Sequence, residues 1–276
     1  MIDSRFPLVS ALFITWRRFD LLKPTVESFI RNTNYPNLEI VIADDGSGAE
    51  VQARIRTLPA QHFALASRHR GLGANNNNGL RLCTGKYILM IQDDWLCHGP
   101  IDYLVNVVDV LETNPEVGII NFAGSSNPPD FNMPLKGTRN TTERCYVTPR
   151  PFEDGRNEHF LYSDQPHIRS RAALEHVGLY LEDRDMERCE TDYCRRWKQQ
   201  TEFLTAVFPD YYSRVFSNEG YMQGQSHRLN KFRYQALRPV MPAAQWLKRN
   251  CKPLYLIGRW LANTAIGTAE KLRIVR

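Results

Sequence analysis

The chain has 276 residues, 42% of them apolar, and a formal net charge of +5. That length and apolar content can build a proper core in one large or two small domains. The charge is modest and there is no long Lys/Arg run or zinc-type spacing, so nucleic acid is not expected as a partner; small anions or an anionic surface suit the chain equally.

Cys83, Cys97, Cys145, Cys189, Cys194 and Cys251 show no paired short spacing and read as reduced, mostly structural residues. The apolar run 8–14 lacks the charge pattern and length of a signal peptide, and no segment reaches the roughly 20 apolar residues that span a bilayer. The expected location is the cytoplasm.

In chain order, the pattern predicts a strand at 8–14, a helix at 20–31, a strand at 38–43, a helix at 49–58 and a strand at 63–66. A helix at 71–83, a strand at 87–91, a helix at 100–112 and a strand at 117–122 follow. Such alternation belongs to a parallel sheet covered on both faces. In the first helix Leu21, Leu22, Thr25, Val26, Ser28, Phe29 and Ile30 form a broad stripe, and Asn34-Tyr35-Pro36 stops it. From 124 to 151 the chain is rich in Pro, Asn, Gly and Thr and reads as a long loop region. The glycosylation sequon Asn140-Thr141-Thr142 falls there by chance in a cytoplasmic chain. A helix is expected at 186–199, with Met186, Cys189, Tyr193 and Trp197 on one face, then a strand at 201–208.

Open α/β sheets bind ligands beyond the carboxyl ends of their strands. Thr15-Trp16-Arg17, Asp44-Asp45-Gly46-Ser47 and Gln92-Asp93-Asp94 should therefore line one crevice. Adjacent carboxylates such as Asp93 and Asp94 raise each other's pKa unless a cation neutralises them. Hard oxygen ligands suit Mg2+ or Mn2+ carrying phosphates. The competing reading is an acidic turn capping the next helix. Gly71-Leu72-Gly73-Ala74-Asn75 is not a dinucleotide fingerprint, because Asn76 stands at the third glycine position and the segment follows the third strand.

Six pieces, in order, resemble a family 2 glycosyltransferase with the GT-A fold. They are 10–16 with Asp20, 40–47, Gly71-Leu72-Gly73-Ala74 through Gly79, Gly85-Lys86-Tyr87 leading to Gln92-Asp93-Asp94, Val177-Gly178-Leu179-Tyr180, and Glu190-Thr191-Asp192 with Arg195 and Arg196. The resemblance covers roughly 8–210. It implies a Rossmann-like α/β/α sandwich with a mostly parallel central sheet. The domain would span 1–237, with a nucleotide-binding half at about 1–123 and an acceptor-side half at about 124–237.

By the same resemblance Asp45 hydrogen-bonds the uracil of a sugar nucleotide, Trp16 stacks on the base, and Asp44 supports the loop. Thr15, Arg17 and Asn77 join the nucleotide-binding set. Asp94 is the direct ligand of Mn2+ or Mg2+, Asp93 meets the ribose or metal-bound water, and His227 is a further ligand with His98 as its local competitor. Asp192 is the general base at the start of a helix, with Glu190 as its rival. The implied reaction is inverting, metal-dependent transfer from a nucleotide diphosphate sugar, UDP-linked by preference, to a hydroxyl of a saccharide or lipid-linked glycan. One rival is a sugar-phosphate nucleotidylyltransferase, which wants a glycine-rich loop that Thr15-Trp16-Arg17-Arg18 lacks; the other is an inactive glycan- or nucleotide-binding module.

Between 238 and 276 eight Lys or Arg face one acidic residue, Glu270. Leu254, Ile257, Leu261, Ala265 and Leu272 fall at helical spacing near Trp246, Tyr255 and Trp260. Two readings stay open: an amphipathic helix in the inner membrane interface, which would suit a lipid-linked acceptor, and a basic helix packed on the domain.

Overall fold

The computed structural model describes residues 6–122, 162, 164–183, 185–200, 203–207 and 214–218, with two-residue strands at 133–134 and 146–147. His227, the sequon, the tail 238–276 and most of the loop region 124–151 lie outside the described residues. Every described residue belongs to one unit, Met1–Gly220.

The first half builds β1 (Val9–Thr15), α1 (Phe19–Arg31), β2 (Leu38–Asp44), α2 (Ala49–Ile55), β3 (His62–Leu65), α3 (Leu72–Leu80) and β4 (Tyr87–Gln92). Then come β5 (Trp95–Cys97), α4 (Tyr103–Thr113), β6 (Val117–Asn121), β7 (Met133–Pro134) and β8 (Tyr146–Val147). The remainder is β9 (His167–Ser170), α5 (Arg171–Val177), α6 (Met186–Gln200), β10 (Leu204–Val207) and β11 (Phe216–Asn218).

The main sheet runs β3-β2-β1-β4-β9-β6-β10-β8-β7, and β5 pairs with β11 in a small second sheet. Strands β3, β2, β1 and β4 are mutually parallel. Because helices cover both faces, their sequences are near-continuous apolar runs rather than alternating ones. Val9, Ala11 and Phe13 pack with Leu22, Val26 and Phe29 of α1 on one face. Leu12 and Ile14 pack with Leu80, Tyr180, Tyr193 and Trp197 on the other.

Several details depart from the expectations. The buried stripe of α1 is narrower, because Leu21 is only half-buried and Ile30 is exposed. On α6, Cys189, Tyr193 and Trp197 are buried, but Met186 at the helix start is 60% exposed. Strand β9 was not expected at all; it enters between β4 and β6 antiparallel to both, so the parallel order is interrupted there.

At the amino-terminal edge, Glu39 of β2 is buried and gathers neighbouring strands. Ser10 Oγ of β1 donates to it, as do Thr84 N at 2.6 Å, Thr84 Oγ1 at 2.8 Å and Gly85 N at 3.2 Å, just before β4. Burial pushes its pKa up, but these hydrogen bonds prevail and hold it below the ordinary carboxylate range.

Candidate functional site

The parallel register sets Thr15 beside Asp44 and Ile14 beside Gln92, so the three polar strand ends reach the same edge. A cavity of about 350 Å3 opens there, lined among others by Thr15, Trp16, Arg18, Asp45, Asp93 and Met186. That is the small end of the range for ligand pockets, roughly 300–1,000 Å3.

The turn after β2 is built by its own side chains. Asp44, fully buried, accepts from Ser47 N at 2.9 Å, from Gln52 Nε2 at 2.8 Å and from Ser47 Oγ. Gly46 takes φ +74°, and a Cβ there would stand 2.6 Å from His69 N, so only glycine fits between the turn and the 68–69 backbone. Asp45 accepts from Arg70 N at 2.8 Å and Gly71 N at 2.7 Å, which ties the loop before α3 to the end of β2. His69 Nδ1 also lies 2.7 Å from Asp45 Oδ2, without the alignment of a hydrogen bond. The His69 ring stacks on Trp16 with centroids 4.1 Å apart and planes at 20°. Trp16 is thus a partly exposed aromatic wall of the crevice, not a core residue. Next to it Arg17 takes φ +57°, donates its N–H to Ser47 Oγ at 2.7 Å, and sets its guanidinium 5.2 Å from the Trp16 ring centroid.

At the end of β4 the two carboxylates turn inward. Asp93 Oδ2 accepts from Thr15 Oγ1 at 2.7 Å, and its carbonyl accepts from Thr25 Oγ1 of α1 at 2.8 Å. The Arg18 guanidinium reaches Asp93 Oδ1 at 3.0 Å and Asp94 Oδ2 at 2.8 Å. Burial pushes the Asp93 carboxyl up to about 6, against the downward pull of Arg18 and Thr15. Asp94 is only 8% exposed, and its Oδ1 is buried without a hydrogen-bond partner. An orphaned buried carboxylate oxygen beside a second carboxylate is the donor set a hard divalent cation takes, so these residues fit one. Among the described residues no group of three His, Cys, Asp or Glu assembles. Among the described residues the protein's share of such a site would be two carboxylates. His98 is engaged elsewhere, 2.6 Å from Ser217 Oγ of β11.

Two expectations meet a different geometry. Asn77 does not line the cavity. It is buried in α3, donates to Tyr180 O at 2.9 Å and Glu182 Oε1 at 3.1 Å, and accepts from Tyr180 N at 2.9 Å. Its amide is consumed in holding 180–182. Asp192 is not at a helix start: α6 begins at Met186, so Asp192 sits in the second turn, paired with Arg195 and Arg196, each at 2.8 Å. Glu190, one turn beyond the cavity-lining Met186 on the same side of α6, accepts from Asp164 N at 3.1 Å.

Arg18, His69, Asn75 and Met186 line the cavity, and none of them was expected as a site residue. Asn75 Nδ2 donates to Thr15 O at 3.1 Å and Ala43 O at 3.2 Å, joining the ends of β1 and β2. The one signal for Arg18 was its place next to Trp16 and Arg17, beyond a strand end.

The family model described as Glycosyl transferase family 2 matches residues 10–178, a span that takes in all three strand ends and the loop before α3. The chain belongs to glycosyl transferase family 2. This family member is 28% identical over 93 residues to the GalNAc(5)-diNAcBac-PP-undecaprenol beta-1,3-glucosyltransferase of Campylobacter jejuni, covering 32% of this chain and 30% of that protein. It is 30% identical over 128 residues to the glucosyl-dolichyl phosphate glucuronosyltransferase of Haloferax volcanii, covering 45% of this chain and 39% of the relative. The chain thus spans about a third of the length of these curated relatives.

The fold is similar to that of mannosyltransferase PcManGT from Pyrobaculum calidifontis, solved with GDP-Man and Mn2+, at a TM-score of 0.55 and 20% identity, covering 96% of this chain and 76% of that one. It is also similar to S. aureus TarS 1-349 in complex with UDP, at 0.51 and 14%, covering 74% and 60%. The α/β architecture is accordingly that of the GT-A glycosyltransferases. Among the described residues no helix is long and apolar enough to cross a membrane.

Proposed function

We propose that this family 2 member moves a glycosyl group from a nucleotide diphosphate sugar, with UDP preferred, to a hydroxyl of a saccharide or lipid-linked glycan, with inversion. The observation that carries this reading is the convergence of Trp16, Asp45, Asp93 and Arg18 on one cavity at the ends of adjacent parallel strands, with Asp94 beside it. Trp16 offers an aromatic face to the base. Asp45 has three protein contacts on a carboxylate with about four acceptor sites, which leaves room for one pyrimidine N–H. Thr15 and Arg17 shape the same wall, and Asp93 stands at the ribose side. Asp94 and Asp93 would hold Mn2+ or Mg2+, which when bound offsets the negative charge gathering on the departing nucleoside diphosphate; His227 is proposed as a further ligand. The neighbour solved with GDP-Man and Mn2+ supports the metal, and the lipid-linked substrates in the relatives' names support the acceptor class. Peripheral contact of 238–276 with the inner face of the membrane belongs to the same proposal.

Transfer needs a base to take the acceptor's proton as its oxygen attacks the anomeric carbon and the nucleoside diphosphate leaves with the bonding pair. Asp192 is the first candidate, and Arg195 and Arg196 sit against both its oxygens. A second reading gives the role to Glu190. It lies below Met186 on the cavity side of α6, and no arginine is paired with it among the described residues.

A thermal-shift panel of UDP, GDP, dTDP and CMP sugars, each with Mn2+ or EDTA, tests the reading. A UDP-sugar should raise the Tm with Mn2+ and lose most of that effect with EDTA. No shift with any donor, or one indifferent to EDTA, overturns it. Asp192→Asn and Glu190→Gln then separate the bases: the true one loses about 10²- to 10⁴-fold in turnover while donor binding persists.

A further inference from the structure

Arg18 occupies the ground the cation would take. Its fork does not grip one carboxylate twice, the usual arginine geometry. One nitrogen meets Asp93 Oδ1 and the other Asp94 Oδ2, so a single guanidinium bridges the two acids. One positive charge against two negative ones leaves the pair under-neutralised, and Asp94 Oδ1 stays buried and unpartnered. A divalent ion held by Asp93 and Asp94 would supply a second charge and a partner for that oxygen.

The rest of Arg18 is arranged for departure. Its backbone is fixed, because Arg18 O accepts from Leu21 N and Leu22 N at the start of α1. Its side chain is 41% exposed and lines the cavity. Leaving the acids therefore takes only rotamer changes, which cost little time and no refolding. The cavity it would swing into is where a pyrophosphate is proposed to lie, and a guanidinium pairs with phosphate oxygens as readily as with carboxylates.

We propose that Arg18 is a built-in competitor for the divalent ion, which yields the Asp93–Asp94 pair only when a nucleotide diphosphate offers it another anion. The inference rests on the metal reading of the site given above. Its consequence is coupling: ion alone binds weakly, ion and nucleotide together bind strongly, and by linkage each raises the other's affinity by the same factor.

The test is Mn2+ affinity of the full chain, measured by electron paramagnetic resonance of the free ion, without and with UDP. Arg18→Met keeps the aliphatic stem and removes the competitor. It should bind Mn2+ alone about three- to tenfold more tightly than wild type, the loss of one partly exposed ion pair, while the gain from UDP shrinks. Arg18→Lys, a point charge that cannot bridge both acids, should fall between, and Arg18→Gln serves if the Met variant does not fold. Equal or weaker Mn2+ binding in the variants, with the UDP effect unchanged, overturns the role of Arg18. Asp94→Asn tells the two failures apart. If it abolishes Mn2+ binding while Arg18→Met changes nothing, only the competitor is wrong. If wild type takes no Mn2+ even with UDP, or Asp94→Asn binds it undiminished, the metal site itself fails and the competitor with it.

Discussion

Arg17 is the described non-glycine residue held at positive φ, +57°, in the bend that carries Trp16 and Arg18. An L-residue there is strained by about 1 kcal/mol relative to glycine. Arg17→Gly should therefore leave the fold as stable or firmer, by up to about 1 kcal/mol in urea denaturation. The same variant should weaken the UDP-sugar thermal shift, because the cation beside Trp16 is gone. Trp16, Asp45 and Asp93 were legible in the sequence because their chemistry and their place at strand ends coincide. Arg18 and His69 were not, since their places at the cavity depend on that bend and on how the 68–71 loop folds back onto Asp45. The run Asn75 to Asn78 shows the limit most plainly: Asn75 reaches the cavity and Asn77 turns to Tyr180, and composition alone gives no phase.

Helix α3 lies close on the sheet at Gly79. A Cβ there would stand 3.0 Å from Ala43 Cβ, 3.1 Å from Leu12 Cδ2 and nearer still to Leu12 Cδ1. Gly79→Ala gains helix propensity of about 1 kcal/mol. Overpacking costs about 1–3 kcal/mol, and here it meets buried side chains of β1 and β2, so the net effect should be a loss of about 1–2 kcal/mol in urea denaturation. Long apolar runs placed β1, β2, β4 and β6 within about a residue of their observed ends. Strands β5, β9 and β11 are three or four residues long and have too little periodicity to stand out. Helix α5 did carry a signal: Ser170 Oγ accepts from Ala173 N at 3.2 Å, an N-cap readable as Ser170 three residues ahead of Ala173.

At the scale of the whole fold, the largest fully buried polar side chain among the described residues is Arg169 of β9. It donates to Tyr193 Oη at 2.8 Å and to Tyr180 Oη, while Tyr162 links Tyr180 to Asp164. Burial and the neighbouring Glu190 push Asp164 up to about 7 from 3.8. The folded chain then holds a proton that the unfolded chain has released, so this group makes stability fall as pH rises from about 4 to about 7. Against the upward push of burial, hydrogen bonds from Lys86 and Tyr87 hold Glu112 low, and Asn77 with Arg70 holds Glu182 low, so their stabilising contribution is full above about 4.5 and is lost as pH falls below it. Asp164→Asn should flatten the Tm profile between about pH 4 and pH 7 and raise Tm at pH 8; parallel profiles would count against the assignment.

The strands that deliver the crevice residues are apolar on both sides, so burial alone scarcely penalises sliding one past another. Glu39 supplies what burial does not, a polar peg tying Ser10 of β1 and the Thr84-Gly85 turn before β4 to β2. It works as a datum: with the strands levelled at the rear edge, their tips finish flush roughly 15–20 Å away, five or six residues on. A carboxylate at the rear edge thus sets the alignment of those at the crevice, and damage at the back of the sheet would be felt as misplaced side chains at the front.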